Sequence, residues 1–378
     1  MPDAQAAPAI RGWCPTAWRP MEAGDGLLVR VRPPLGRLTA MHAMALADAA
    51  RQHGNGLIDL TNRAAIQIRG VTAQSYTFLI QRLVALGLTD ADPVREARRA
   101  IILTPDWQPG DDSHRIAQAL TERLDDLPDL PPKIGIAIDT GPAPALQQVP
   151  ADFRFERSES GALILRAEGR PLGIPVATTE AAQALIALSR WFVASGGPAA
   201  GRMARHHAPL PPEPATAPGM PPGTARSLQT VLAQAPGPFH GVPFGQIRAA
   251  DMAALASQSG VAALRLTPWR GLILEGGTEA SGLAVTDPLL RADACPGASA
   301  CPQASVATRD LAARLAPYVD GSLHVSGCAK GCARPAPAQV ALTGRDGRFD
   351  LAHNARAGSP PERTGLTPGQ ILALFGAS

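Results

Sequence analysis

Residues 56–70 read GLIDLTNRAAIQIRG, two short alternating runs on either side of Asn62. A period of two around a turn residue marks a pair of strands. On the first of them Asp59, Thr61 and Arg63 share a face. Upstream, GLLVRVRP at residues 26–33 alternates as well, with Leu27, Val29 and Val31 on one face and Leu28, Arg30 and Arg32 on the other. Between the two lies LTAMHAMALADAARQHG, residues 38–54, which reads as a helix closed by Gly54. A second helix is expected around residues 73–86. The unit is therefore strand, helix, strand, strand, helix.

The unit recurs. RAADMAALASQSG at 248–260 repeats the first helix, and AALRLTPWRGLILEGG at 262–277 repeats the strand pair. LTNRAAIQI lines up with LTPWRGLIL, with one residue more in the second turn, so that Arg270 takes the place of Arg63. The echo continues downstream. ADPVREA at 91–97 matches TDPLLRADA at 286–294, and the long segment 113–141 matches 305–328. DFRFERSESGALILRAEG at 152–169 matches QVALTGRDGRFDLAHNAR at 339–356. Four blocks in the same order argue for a duplicated chain rather than chance likeness of short strands. Residues 208–224, APLPPEPATAPGMPPGT, carry no period and separate the copies. The expected organisation is an extension at 1–25, a half-domain at 26–88 and an α/β domain at 89–205. A linker at 206–226, a second half-domain at 227–286 and a second α/β domain at 287–378 complete it.

The chain has 378 residues and a net charge of +3, too little to argue for nucleic acid, and at 4% aromatic it lacks base-stacking platforms. Arginine supplies nearly all the basic side chains, Lys133 and Lys330 being the only lysines. Residues 11–37 concentrate five arginines, at 11, 19, 30, 32 and 37. The opening MPDAQAAPAIRGW has neither a basic start nor an apolar core, and no run of about 18 apolar residues occurs, so a cytoplasmic protein without a membrane partner is expected.

Four of the five cysteines fall in the second copy, as CPGASACPQA at 295–304 and HVSGCAKGCARP at 324–335. The spacing is C-x5-C, 26 residues, then C-x3-C. Unrelated buried thiols, a disulfide, a zinc site and an iron–sulfur cluster all remain open on spacing alone. A cluster wants four thiolates on tight loops, and Gly297, Gly327 and Gly331 supply them. Because one copy alone carries the cysteines, one site is expected. Cys14, between Trp13 and Pro15, reads by default as a buried structural thiol, and RHH at 205–207 as a tail-like loop. No G-x-G-x-x-G follows a strand, so no NADH site is expected on the chain.

LLVRVRP, the HGNGLIDLTNRAAIQIRGV stretch, LPPKIGIAID, and C-x5-C with C-x3-C together resemble the siroheme-type sulfite and nitrite reductases. Within that superfamily, RGWCPTAWRPMEAGDGLLVRVRP and HVSGCAKGCARPAPAQVALTGRDG are similar to the precorrin-3B synthases. The resemblance implies an α+β, duplicated nitrite/sulfite reductase-like fold. Two ferredoxin-like half-domains would form a pseudo-twofold unit, flanked by two α/β domains of the cluster type. It implies Cys295, Cys301, Cys328 and Cys332 as ligands of a 4Fe–4S cluster. It further implies an O2-dependent monooxygenase that hydroxylates precorrin-3A at the meso carbon between rings A and D, a ring-A acetate closing as a γ-lactone. NADH would be the reductant, through a partner reductase or ferredoxin, and an additional mononuclear iron would be needed because triplet O2 reacts at a metal or flavin. No catalytic residue and no iron ligand can be named.

The substrate's eight carboxylates suit arginine forks. Arg30, Arg32, Arg63, Arg69 and, across the pseudo-twofold, Arg270 are the expected substrate-binding residues, Arg63 at the family's T-x-R position. Lys133 and Lys330 match basic positions of the family. Two other classes compete. A siroheme-dependent sulfite or nitrite reductase would need several lysines and arginines around a small anion, and the near absence of lysine weighs against it. A non-enzymatic iron–sulfur carrier or tetrapyrrole-binding protein would not need two arginine-lined halves.

Overall fold

A computed structural model describes residues 13–211, 218–279 and 282–377. The first unit forms as its alternation requires. Gly26–Val31 pairs antiparallel with Ile66–Val71, which pairs with Leu57–Leu60. Val29 and Val31 are fully buried while Arg30 and Arg32 lie on the opposite face. The helix Ala40–His53 starts where Thr39 accepts a hydrogen bond from the His42 amide at 3.1 Å and stops at Gly54. The second helix, Ala73–Ala85, opens on a reciprocal capping box between Thr72 and Ser75.

The two copies exchange a strand each. Arg37–Thr39 of the first copy pairs with Ala263–Leu266 of the second. Gln246–Arg248 of the second pairs with Leu57–Leu60 of the first. One continuous core results, running from Val29, Leu46 and Ile66 to Met252, Leu264 and Leu272. The helices Ala40–His53 and Ala249–Ala256 pack against each other within this core.

Two sequence readings are corrected here. Leu60 lies opposite Ile66 and Leu266 opposite Leu272, so the turns, residues 61–65 and 267–271, have equal length. Arg270 therefore stands where the first copy has Ala64, and both adopt left-handed backbone, φ 54° and 47°. The counterpart of Arg63 is Trp269. The second copy also lacks the second helix: no helix occurs among the described residues between Glu275 and Pro288.

The α/β domains are twins. Each sheet has five strands, with two parallel neighbours followed by two antiparallel ones. In the second domain the order is Ala292–Ala294, Leu323–Ser326, Ala338–Arg345, Arg348–Ala355, Arg363–Leu366. Asp-Pro starts a short helix before each sheet, Asp92 capping Val94 and Asp287 capping Leu289. Each domain has its own core.

Residues 205–207 are not a tail-like loop. His206 is buried against Trp191 and Phe192, and its Nε2 lies 2.7 Å from the Ser195 hydroxyl. The described part of the proline-rich segment is stitched to the first α/β domain through Gly173 with Met220 and Ser158 with Pro222. Residues 212–217 and the first twelve residues of the expected extension lie outside the described residues. No helix among the described residues is long and apolar enough to cross a membrane.

Candidate functional site

Ala292–Ala294 and Leu323–Ser326 are parallel neighbours, and each runs directly into cysteine-bearing chain. Cys295 and Cys328 thus leave the same end of the sheet side by side. The Gly327 amide donates to Cys295 Sγ at 3.1 Å. Gly297 has φ 72°, and a Cβ there would sit 2.9 Å from Thr308 Oγ1, so the first loop needs glycine for both conformation and space. Burial pushes the Cys332 thiol up; Lys330 opposes this, while Cys328, Cys295 and Cys301 add to it. The charges that act on Cys332 place the other three thiols in its surroundings, and thiols gathered on tight loops are a donor set for a metal or cluster. Among the described residues no three His, Cys, Asp or Glu side chains converge as around a single ion. A cubic cluster makes no such demand, since its four thiolates cap separate corners. A buried Arg309 Nε without a hydrogen-bond partner lies on the same domain. The donor set and this orphaned donor fit a cluster, with Cys295, Cys301, Cys328 and Cys332 as its holders.

The first α/β domain shows what the duplicated strand ends look like without thiols. A cavity of about 310 Å³ lies there, lined by Thr104, Asp106, Trp107, Ser113 and Gly141. Arg226, at the end of the expected linker, holds one of its lining residues. It pairs with Asp106 at 2.7 Å and donates to the Ala143 carbonyl at 2.6 Å.

The expected arginines divide into two groups. Arg30, Arg32 and Arg63 gather around Cys14. Burial lowers the pKa of all three, and Cys14 acts on each of them. Arg32 comes down to about 10, so it is still a cation at neutral pH. Arg30 donates to Gln67 Oε1 at 2.6 Å, and Arg63 to the Lys133 carbonyl at 3.0 Å. Arg32 lies 3.9 Å from Glu96, which Arg99 also engages at 2.9 Å. Arg202, held by Asp152 at 2.8 Å, adds its charge to the surroundings of Arg63. Cys14 is half-buried rather than a core thiol. Its segment is pinned by Trp18, which donates to the Asp90 carbonyl, and by the Tyr76 hydroxyl, which donates to the Ala17 carbonyl, both at 2.8 Å.

Arg69 and Arg270 do not join this group. Arg69 is buried with its fork on Asp25 at 2.8 Å and on Asp59 at 2.7 Å, so both sides are taken by the chain's own carboxylates. Arg270 pairs with Asp293 and donates to the Ala292 carbonyl at 2.7 Å. Burial first, then Arg334 and Arg309, bring it down to about 10. It belongs to the cysteine domain's edge. Lys330 lies between Cys328 and Cys332 and acts on the latter. Sequence reasoning missed Arg202 and Arg309. It also missed His324, fully buried with both ring nitrogens unpartnered and pushed down to about 4 by burial and by Arg334 and Arg270. A polar residue inside an apolar strand, as in LHVS at 323–326, was the available signal for the last.

Residues 19–86 match the family described as the nitrite/sulfite reductase ferredoxin-like half domain. A Sinorhizobium precorrin-3B synthase is 34% identical over 97% of this chain and 88% of that protein. The chain belongs to the precorrin-3B synthase family. A ferredoxin–nitrite reductase from Synechococcus elongatus is 30% identical, over 34% of this chain and 27% of that one. The solved structure of Mycobacterium tuberculosis NirA superposes with a TM-score of 0.58 at 17% identity, covering 91% of this chain and 78% of NirA. Membership in this family and that likeness give the fold as the nitrite/sulfite reductase fold, and place the chain among oxidoreductase-type relatives.

Proposed function

We propose that the chain is a precorrin-3B synthase acting on precorrin-3A with O2. One oxygen atom enters the substrate as a hydroxyl at the meso carbon between rings A and D, and the ring-A acetate closes as a γ-lactone. The other oxygen leaves as water, with two electrons from NADH arriving through a partner reductase or ferredoxin. The observation that carries the reading is the arginine group, together with the 34% identity over nearly the whole chain. Arg30, Arg32 and Arg63 are desolvated cations with few carboxylates to neutralise them. Such a group is prepared for a polyanion, and guanidinium forks match carboxylates bidentately. A cluster on Cys295, Cys301, Cys328 and Cys332 supplies single electrons when bound. An additional mononuclear iron belongs to the proposal without assigned ligands.

Binding of precorrin-3A to the purified protein without O2, followed by absorption, tests the site. Saturable binding that weakens as salt rises is expected, because screening loosens contacts between exposed carboxylates and the cations. Absence of binding, with an intense siroheme band and reduction of sulfite or nitrite instead, would overturn the reading in favour of a reductase.

A further inference from the structure

The turn that carries Asp25 is pressed onto the first cysteine loop. The Gly24 amide donates to the Ala300 carbonyl at 3.0 Å, and a Cβ on Gly24 would meet Ser299 O at 2.6 Å and Cys301 N at 3.1 Å. Asp25 holds Arg69, Arg69 holds Asp59, and Asp59 accepts from Gln246 at 2.8 Å. From the other side comes Arg309, the first residue of the helix Arg309–Leu315. The preceding Thr308 donates to the Cys295 carbonyl at 2.5 Å, which fixes that helix start beside the cysteine. Arg309 Nε is buried and unpartnered, and the charges that act on Arg309 are those of Asp59, Arg69, Cys295 and Asp25.

The pseudo-symmetric position inverts this arrangement. Arg265 replaces Asp59 and Glu275 replaces Arg69 in the aligned hairpins. There two guanidiniums, Arg37 and Arg265, flank Glu275 at 2.8 Å each. Arg265 goes on to donate to the Pro105 carbonyl at 3.1 Å and lies over the Trp107 ring, on the domain without the cysteine pairs. The central unit is thus acid-rich toward the cysteines and base-rich on the opposite side. Either polarity would hold the fold together, so what the reversal changes is the field at each neighbouring domain. A neighbouring redox centre responds to that field, because fixed charges shift the free energy of adding an electron.

We propose that Asp25, Asp59, Arg69 and Arg309 form a charged shell that sets the reduction potential of the cluster on Cys295, Cys301, Cys328 and Cys332, Arg309 raising it and the carboxylates lowering it. The proposal rests on the cluster reading above. These are positioning residues: none ligates iron or touches substrate.

Reductive titration of the full chain, read by the paramagnetic signal of the reduced cluster, tests this beside iron and sulfide analysis. Arg309→Gln should lower the ratio of reduced to oxidised cluster at fixed potential by roughly tenfold, about 59 mV for a one-electron couple. Arg309→Lys should stay near the wild-type potential, and Asp25→Asn should shift it the opposite way, to higher potential. A wild-type protein without iron and sulfide overturns the cluster reading and this inference with it. Full iron content with both charge-removing variants at the wild-type potential, or displaced in the same direction, overturns this inference alone. Should Arg309→Gln lose its iron, Asp25→Asn decides, and a potential equal to or below wild type contradicts the proposal.

Discussion

Arg63 donates to the Lys133 carbonyl while Cys14, Arg202 and Asp152 surround it, and burial has already removed much of its water. If Arg63 holds a substrate carboxylate as proposed, its desolvation cost is met before substrate arrives, and the carboxylate gains the full charge-assisted bond. Losing such a bond costs about 1.5–3 kcal/mol, so Arg63→Ala should weaken precorrin-3A binding by about ten- to a hundredfold in the same titration. Arg63→Lys should recover part of it, since an ammonium cannot make the fork. Wild-type affinity in Arg63→Ala would remove Arg63 from the site. Serine in place of Cys295, Cys301, Cys328 or Cys332 should abolish the thiolate-to-iron absorption, whereas Cys14→Ser should keep it. Retention in any of the first four would contradict the ligand set. At this scale the gathering of four cysteines on two loops was legible from local spacing, while their assignment as cluster ligands came from the family resemblance and stands as a proposal. Arg69 was not legible: its partner Asp25 is 44 positions away, and no local pattern reveals that its fork is already occupied. Arg270 failed for a related reason, since the equal turn lengths show only in the pairing register.

Two exchanged strands hold the central unit together, and each junction carries ions. Glu275 bridges Arg37 of the first copy and Arg265 of the second. Hydrogen bonding from Arg37 is the largest cause that brings Glu275 down from 4.5 to about 2, with burial opposing and Arg265 assisting. A folded-state pKa below the unfolded one means the contribution is fully present above about 4.5 and is lost as pH falls toward 2. Because the carboxylate is partly solvated, screening keeps the effect small. Glu275→Gln should accordingly lower Tm at pH 7, and the gap to wild type should close on acidification in calorimetry. An equal gap at pH 7 and pH 3 would show that the carboxylate's charge is not what matters. Element types were largely readable here, because alternation and a closing Gly54 are local signals, to which the structure adds the Thr39 and Thr72 caps. The strand exchange and the missing second helix of the later copy were not. Exchange depends on which edges meet in space, and Gly276, Gly277 and Gly282 replace the helix-forming run that the first copy has at 73–85.

The molecule as a whole is a duplication in which one copy carries the thiols. At the matching strand ends the other copy has Thr104 and Gly141, with Arg226 in contact with Asp106. Analysis should therefore return about four sulfide per chain rather than twice that, with about four iron for the cluster and about one more for the proposed mononuclear site. The ordered repeat was visible in the sequence, and with it the expectation of a single cluster. What the repeat could not show is that the first half-domain's Asp59 faces the second copy's cysteine domain, while the second half-domain's Arg265 faces the first copy's domain. That crossing is what brings residues from both copies to the cysteine loops. Oxygenation of precorrin-3A by this chain, as proposed, is tested most directly by turnover under isotopically labelled dioxygen. With NADH and a reductase partner supplying electrons, the product should carry one labelled oxygen atom at the new hydroxyl and a closed lactone. Product without label, or no product from a protein with its full complement of iron and sulfide, would contradict the account.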